Sequence, residues 1–168
     1  APPSRGAAGA AAMEVFRHMF ADALAQDGLL VLARGLGVRY MLAQFIRAFA
    51  HAPRIVLVLN AGESGEATAL LETVEANGEA PDALPRVIDA DTPAAERRIV
   101  YGGGGVALVT ARILLVDVLG DRLPLSDVGG LLVANAHAVH AGSPEAFVAQ
   151  LFRERNATGF IKAVSYTH

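Results

Sequence analysis

The alternation of short apolar runs with longer amphipathic segments is the sequence feature that most constrains the fold. Residues 29–33, 55–59 and 130–133 form largely apolar runs, which are typical of strands buried on both faces of a parallel sheet. In the segments between such runs, for example residues 38–49, apolar side chains recur at helical spacing. This alternation predicts an α/β fold with a doubly wound, mostly parallel sheet, helices on both of its faces, and ligand surfaces at the carboxyl ends of the strands.

The same pattern organises the rest of the chain. The Ala- and Gly-rich residues 1–12 are predicted to be a flexible leader, and residues 13–168 a single lobe without repeat or linker. Because the chain stops just after an apolar strand, we expect the lobe to be truncated at its C-terminus. Further helices are predicted over residues 13–26, 64–76, 91–100, 111–119 and 143–155, further strands over residues 85–88, 106–109 and 160–164, and a flexible glycine connector over residues 102–105.

The composition limits the classes of function. A net charge of −3, from 14 basic and 17 acidic residues, gives no strong overall attraction for nucleic acid, so any DNA affinity has to come from local basic positions. The absence of cysteine excludes a disulfide framework, a thiolate zinc site and a cysteine nucleophile. No apolar run approaches the roughly 18 residues of a membrane span and no signal peptide is visible, so no membrane contact is expected.

The loop after the first strand lies where a nucleotide-binding protein would hold phosphates. A Walker loop needs a lysine for the β- and γ-phosphates and a hydroxyl for Mg²⁺ directly after its last glycine. Here Gly37 is followed by Val38 and Arg39, so both groups are missing. We interpret Gly35, Gly37 and Arg39 as a degenerate phosphate loop, and a tight strand-to-helix turn is favoured over nucleotide binding.

A second motif of active helicases is incomplete at the end of the segment formed by residues 129–137. A helicase would carry Asp-Glu-x-His there, with the aspartate holding Mg²⁺ and the glutamate positioning the attacking water. Ala134 and Asn135 stand at the two acidic positions, and only His137 remains. A working ATPase with an unorthodox loop is therefore disfavoured, and no catalytic, cofactor-binding or metal-binding residue is predicted in this chain.

Thr110 and Arg112 follow one strand and open the next helix. A hydroxyl, a helix N-terminus and a guanidinium at such a place can contact a nucleic-acid backbone. The alternative is that Thr110 only caps the helix and Arg112 is solvated, and the residues support the two interpretations equally. His137 is interpreted as a hydrogen-bonded structural histidine, and Asp117 as an acid without a partner for acid–base chemistry. The glycosylation sequon at Asn156 carries no expected function.

Six blocks of the sequence, taken in order, closely resemble the N-terminal helicase-like region of the XPF family, the structure-specific endonucleases of nucleotide excision and crosslink repair. The similarity covers roughly residues 14–168 with matching spacing. The blocks are residues 30–37, 57–60, 84–87, 109–117, 145–147 and 158–163. One departure is at Ala134 and Asn135, where the family usually has an aromatic residue and an arginine.

The resemblance implies the first RecA-like lobe of a superfamily 2 helicase-like module that has lost ATP hydrolysis. Such a lobe engages branched or damaged DNA and docks repair scaffold proteins in the nucleus; Thr110, Arg112 and Lys162 are the expected DNA contacts. The nuclease centre with its Mg²⁺, and the region that pairs with a non-catalytic nuclease partner, belong to C-terminal parts of the family outside this chain. The segment alone is therefore not expected to be an enzyme, whereas its parent resembles a DNA endonuclease, a hydrolase. The alternative is a pure protein-interaction domain, which the acidic net charge favours.

Overall fold

A computed structural model describes residues 5–33, 37–61, 64–78 and 81–166. Gly35, in the degenerate phosphate loop, lies outside the described residues. Six helices and six strands alternate along the described part of the chain. They are α1 (Arg5–Ala25), β1 (Gly28–Leu32), α2 (Val38–Phe49), β2 (Val56–Leu59), α3 (Ser64–Ala76), β3 (Arg86–Ile88), α4 (Ala94–Gly102), β4 (Val106–Val109), α5 (Ala111–Leu119), β5 (Gly130–Val133), α6 (Pro144–Arg155) and β6 (Phe160–Tyr166).

The six strands form one sheet in the order β1-β6-β5-β2-β4-β3, and every neighbouring pair is parallel. All residues of β2, β4 and β5 are buried, as expected for apolar strands covered on both faces. The prediction of a doubly wound α/β sheet is confirmed. At its carboxyl edge, the ends of β5 and β2 are adjacent and that of β4 follows β2.

Two hydrophobic cores lie on the two faces of the sheet. Side chains from α1, α2 and α3 pack on one face, where Val58 and Leu132 belong to the strands. Side chains from α4, α5 and α6 pack on the other face, against Leu57 and Leu131 among others. The apolar alternation within each strand thus supplies both cores at once. No helix within the described residues is long and apolar enough to cross a membrane.

Helix α1 begins earlier than the sequence pattern predicts. Residues 5–12, predicted to be part of a flexible leader, belong to this 21-residue helix, while residues 1–4 lie outside the described part of the chain. Alanine has the highest helix propensity, so an Ala-rich stretch extends a helix readily. The second half of α1 is anchored on α2 by aromatic contacts, with ring centroids 5.1 Å apart for both Phe16–Tyr40 and Phe20–Phe45.

The glycines between α4 and β4 form a packed turn, and the prediction of a flexible connector is wrong. Gly104 and Gly105 have φ angles of 66° and 70°. A Cβ atom on Gly104 would lie 2.5 Å from the carbonyl oxygen of Ala52, while the Gly105 amide donates to that same oxygen over 2.8 Å. The Arg86 guanidinium donates to the Gly104 carbonyl from the other side. The turn requires glycine both for its backbone conformation and for the close approach.

The buried amide of Asn156 fixes the turn between α6 and β6. Its Nδ2 donates to the carbonyl oxygens of Leu125 and Val128 over 2.7 and 2.8 Å, and its Oδ1 accepts from the Thr158 and Gly159 amides. The side chain of Asn156 is 3% exposed. The sequon is thus an internal hydrogen-bonding device, because an amide that is buried and fully bonded presents no group for modification.

We expect Gly104→Ala to lower the free energy of unfolding by about 2 kcal/mol or more, because the new methyl group meets a carbonyl oxygen at a positive φ. Gly102→Ala is the matched control, since a Cβ atom there meets nothing within 4 Å. Urea unfolding followed by circular dichroism measures both. Equal stability of the two variants would contradict the packed turn.

Candidate nucleic-acid interface at the carboxyl edge of the sheet

Two asparagines tie together the carboxyl ends of β2 and β5. Asn60 Nδ2 donates to the carbonyl oxygens of Ala134 and Asn135 over 3.1 and 3.2 Å. Asn135 Nδ2 donates in return to the Asn60 carbonyl and to Glu66 Oε2, both over 3.1 Å. Both asparagines adopt left-handed backbone conformations, with φ angles of 54° and 47°, which asparagine tolerates better than most residues. We call Asn60, Asn135 and Glu66 the amide clasp.

A cleft of about 170 Å³ lies between the amide clasp and the first turn of α2. Gly37, with φ 74°, precedes that turn, and Arg39 lies within it, so the structure brings the two degenerate motifs of the sequence to one place. The cleft is smaller than the roughly 300–1,000 Å³ of typical small-molecule pockets. Its lining residues are Val38, Arg39, Leu42, Ala61, Glu66, Leu70, Ala134, Asn135 and Tyr166.

His137 joins the end of β5 to β6. Its Nδ1 lies 3.3 Å from Ser165 Oγ, and its ring meets the Tyr166 ring edge-on at a centroid distance of 4.4 Å. This geometry agrees with the interpretation of His137 as a hydrogen-bonded structural residue. Within the described residues, no group of three His, Asp or Glu side chains is arranged to hold a metal ion.

The N-terminus of α5 opens at the carboxyl end of β4, beside the amide clasp in strand order. Thr110 is exposed, and its Oγ1 accepts from the Ile113 amide over 3.3 Å, so the hydroxyl caps the helix. Arg112 is also exposed, and no hydrogen bond or ion pair within the described part of the chain holds its guanidinium. Thr110 therefore caps the helix, as one of the two interpretations of the sequence proposed. Arg112 is accessible, as the other interpretation, a contact with a nucleic-acid backbone, requires.

Lys162 has a structural role, which corrects the prediction that it contacts DNA. The residue is 4% exposed, and its ammonium donates to the carbonyl oxygens of Ala23, Leu24 and Gln26 over 2.7, 3.0 and 2.6 Å. Two of these oxygens belong to the last turn of α1 and the third to the residue that follows the helix, where helical carbonyls lack intrahelical partners and a positive charge is favourable. All three ammonium donors are used, so none is left for a phosphate. Burial lowers the pKa of Lys162 from its ordinary value, and the charge of Asp27 opposes that shift.

Helix α5 is held in place by an ion cluster that the sequence analysis missed. Asp117 is fully buried and accepts from Arg97 Nε and Nη2 over 2.8 and 2.9 Å, from the Tyr101 hydroxyl over 2.7 Å, and from Arg122 Nη1 over 3.3 Å. Arg97 and Tyr101 lie on α4, so the cluster locks α5 to its neighbour. The only signal in the sequence was an acid within an otherwise apolar helix face, since the two partners on α4 are 16 and 20 residues away.

The cluster shifts the ionisation of its members. Burial by itself raises the pKa of Asp117, but the hydrogen bonds from Arg97 and Tyr101 outweigh it and hold the pKa of that carboxyl below its ordinary value. Burial and the hydrogen bond to Asp117 together raise the pKa of Tyr101 far above its ordinary value. Asp117 is therefore charged and Tyr101 neutral at physiological pH.

Two solved helicase structures have a fold similar to that of this chain. The crystal structure of the Pyrococcus furiosus Hef helicase domain matches with a TM-score of 0.73 and 18% identity, over 89% of this chain and 32% of that one. The bacteriophage T4 UvsW helicase matches with a TM-score of 0.57 and 12% identity, over 83% of this chain and 46% of that one. At such low identity the likeness shows the fold alone, a RecA-like fold that this chain shares with both helicase structures.

Sequence comparison then identifies the family. The DNA repair endonuclease XPF of Cricetulus griseus is 38% identical over 151 residues, and that of Drosophila melanogaster is 34% identical over 150 residues. The DNA repair protein RAD1 of Saccharomyces cerevisiae is 31% identical over 172 residues. These matches cover 90%, 89% and 84% of this chain but only 16%, 15% and 15% of the relatives. No known family profile matches the chain.

Over its length the chain belongs to the XPF family, as the resemblance predicted, and it carries a helicase-like region of these DNA repair endonucleases.

We expect Asp117→Asn to lower the free energy of unfolding at pH 7 by about 3 kcal/mol or more, because the loss of one partner leaves the Arg97 charge uncompensated. Since the folded-state pKa of Asp117 is depressed, its stabilisation is present above the unfolded value near 3.8 and is lost as the pH falls through the folded value. The difference between variant and wild type should therefore shrink below about pH 4.

Urea titrations between pH 3 and pH 7 measure this difference. Asp121→Asn is the control, because that residue is exposed and its φ of 52° suits asparagine. A difference that stays constant over the whole pH range would show that the cluster does not depend on the carboxylate.

Proposed function

We propose that the chain is an ATP-independent, helicase-like lobe of a structure-specific DNA repair endonuclease, which engages branched DNA and docks repair partners. The observation that carries the proposal is the pairing, at one edge of the sheet, of a degenerate nucleotide site with an accessible helix N-terminus and guanidinium. In this proposal the nuclease centre, its Mg²⁺ and the non-catalytic nuclease partner belong to other parts of the protein, which acts in the nucleus.

The amide clasp supports independence from ATP. Where a helicase lobe places two acids, Ala134 has no functional group, and the Asn135 amide is already bonded to Asn60 and Glu66. The carboxylate of Glu66 lines the same cleft and repels phosphates, which leaves Arg39 as the cation among the described residues of its lining. Among its described lining residues the cleft has no lysine, no serine or threonine hydroxyl and no aspartate, whereas a phosphate loop that transfers phosphoryl groups uses such residues to hold phosphates and Mg²⁺.

The geometry of α5 supports DNA contact. The first N–H groups of a helix have no intrahelical partner, and the Thr110 hydroxyl satisfies only that of Ile113. The remaining amides are directed out of the helix N-terminus, where an anion can bind, and the exposed Arg112 belongs to the same first turn. The Asp117 cluster holds α5 rigidly to α4, so the helix is positioned before any ligand arrives. A phosphate backbone fits this arrangement because no base-specific donor set accompanies it.

A protein-interaction role without DNA contact is the second candidate, and the outer surface of α4 and α5 favours it. Ile99, Val116 and Leu119 are 74%, 58% and 65% exposed. Together with the net charge of −3, these apolar side chains are more typical of a docking surface than of a nucleic-acid groove. DNA affinity distinguishes the two candidates.

We expect no binding of Mg-ATP, because Ala134 and Asn135 stand at the positions of the two acids and no lysine reaches the cleft. Isothermal titration with millimolar Mg-ATP should give only heats of dilution. The proposal fails if wild type shows a saturable isotherm, with phosphate release, that is abolished in Arg39→Ala.

We expect Arg112→Ala to weaken binding to a splayed-arm DNA about tenfold at low salt, because one charge-assisted phosphate contact is lost. The slope of log affinity against log salt should become shallower by about one. Fluorescence anisotropy with two unrelated DNA sequences measures both quantities.

Arg155→Ala is the matched control, because this exposed arginine ends α6 at the opposite edge of the sheet. It should leave DNA affinity unchanged. If Arg112→Ala binds as well as wild type with the same salt slope, the protein-interaction role becomes the better conclusion.

A further inference from the structure

The end of α6 carries two arginines shortly before an accessible hydroxyl. Arg153, Arg155 and Thr158 stand in the order Arg-x-Arg-x-x-Thr. Protein kinases select substrates by charge patterns, and those that recognise basic substrates read arginines on the N-terminal side of the acceptor hydroxyl. No other serine or threonine of the sequence has an arginine three residues before it. The pattern therefore distinguishes Thr158 from the other hydroxyl groups of the chain.

The structure leaves both the hydroxyl and the nearer arginine accessible. Thr158 is exposed, and its Oγ1 donates to Asn156 Oδ1 over a long 3.4 Å. Arg155 is also exposed, and within the described residues its side chain forms no hydrogen bond or ion pair. It ends α6, and the last turn of a helix opens readily, so a kinase can extend the segment from Arg155 to Thr158.

A guanidinium lies beside this hydroxyl. Arg54 Nη1 donates to Thr158 Oγ1 over 3.4 Å and to the Ser126 carbonyl over 3.3 Å. Arg54 is exposed, and within the described part of the chain its Nε and Nη2 have no partner and no carboxylate pairs with it. Asp127, the acid of the adjoining turn, accepts instead from the Ser126 hydroxyl over 3.1 Å. Arg54 is therefore available for a phosphate, which guanidinium groups bind with two parallel hydrogen bonds.

We propose that Thr158 is phosphorylated by a kinase that selects basic substrates, and that Arg54 binds the phosphate. In the transfer, a bond forms between Thr158 Oγ1 and the γ-phosphorus of the ATP held by the kinase. The bond from that phosphorus to the bridging oxygen breaks, ADP leaves, and the hydroxyl proton passes to the catalytic aspartate of the kinase.

The phosphate adds a link between two strands. Arg54 precedes β2 and Thr158 precedes β6, and β5 lies between these strands in the sheet. A phosphate carries close to two negative charges at neutral pH, so its pairing with Arg54 joins the amino ends of β2 and β6. This site is at the edge of the sheet opposite the N-terminus of α5. It is therefore independent of the DNA contact proposed above.

A purified kinase that selects basic substrates, supplied with Mg-ATP, tests the modification on the whole 168-residue chain. We expect about one phosphate per chain, located at Thr158 by mass spectrometry, and little transfer by a kinase that selects acidic substrates. Thr158→Ser should retain the transfer. Ser126→Ala, at the other exposed hydroxyl near Arg54, should behave as wild type. Absence of phosphate from wild type, or undiminished transfer to Thr158→Ala, would overturn the proposal.

The role of the arginine pattern is tested by initial rates. Arg155→Ala should lower the rate of phosphate transfer about tenfold or more, because the kinase loses a charge contact. Arg98→Ala is the matched control, since this exposed arginine lies on α4 and is followed at the same spacing by Tyr101. Equal rates for the two variants would refute recognition through Arg155.

Thermal unfolding tests the pairing with Arg54. Phosphorylated wild type should have a Tm about 2–4 °C above that of the unmodified protein, as expected for one charge-assisted pair in a chain of this size. Phosphorylated Arg54→Ala should show no such increase, whereas phosphorylated Arg39→Ala should keep it. An equal increase in Arg54→Ala, or no increase in wild type, would show that Arg54 does not bind the phosphate.

Discussion

The burial of β2, β4 and β5 on both faces is the constraint on which the rest of the structure depends. The backbone groups of such strands form their hydrogen bonds with parallel neighbouring strands, and their side chains are buried by helices on both faces of the sheet. Every loop that leaves their carboxyl ends must therefore begin at the same edge of the sheet. The amide clasp, the N-terminus of α5 and the turn containing His137 lie at that edge for this reason alone. The edge would be a ligand surface in any protein with this fold.

What distinguishes this chain is how polar groups are used at and around that edge. In an active motor, strand ends with acids and a phosphate loop with lysine are left open for a nucleotide. Here Asn60 and Asn135 bond mainly to each other's backbone, which stabilises the junction of β2 and β5 without any ligand. The Asp117 cluster does the same for α5, since it satisfies a buried charge with two arginines and a tyrosine. Both groups of bonds form between residues of this chain and involve no ligand.

Much of the fold was predictable because the spacing of apolar residues along the sequence, continuous in buried strands and with a period of 3.6 in helices, reflects which side chains are buried. The run at residues 55–59 became β2 with one residue fewer at its start, and the strand at residues 130–133 and the helix at residues 38–49 were predicted to the residue. The prediction of a flexible glycine connector was wrong because composition suggested flexibility, whereas Gly104 has a carbonyl neighbour. Helix α1 begins at Arg5, within the predicted leader, because an Ala-rich stretch extends a helix readily. At the candidate site, Thr110 was rightly considered as a cap, while the role of Lys162 was missed.

The sequence by itself determined which chemical groups are absent, and so the loss of the lysine, hydroxyl and acids of a motor was readable without coordinates. It also determined the order of strands and helices, because that information is local. Only the tertiary structure decided which charged side chains are free. Lys162 is separated from Ala23 by 139 residues and Asp117 from Arg97 by 20, and no local pattern records such pairings. The packing of α1 brings carbonyl acceptors to Lys162, which becomes a helix cap. The packing of α4 against α5 brings donors to Asp117, which becomes a link between the two helices. Arg112 receives no such partner among the described residues and stays exposed.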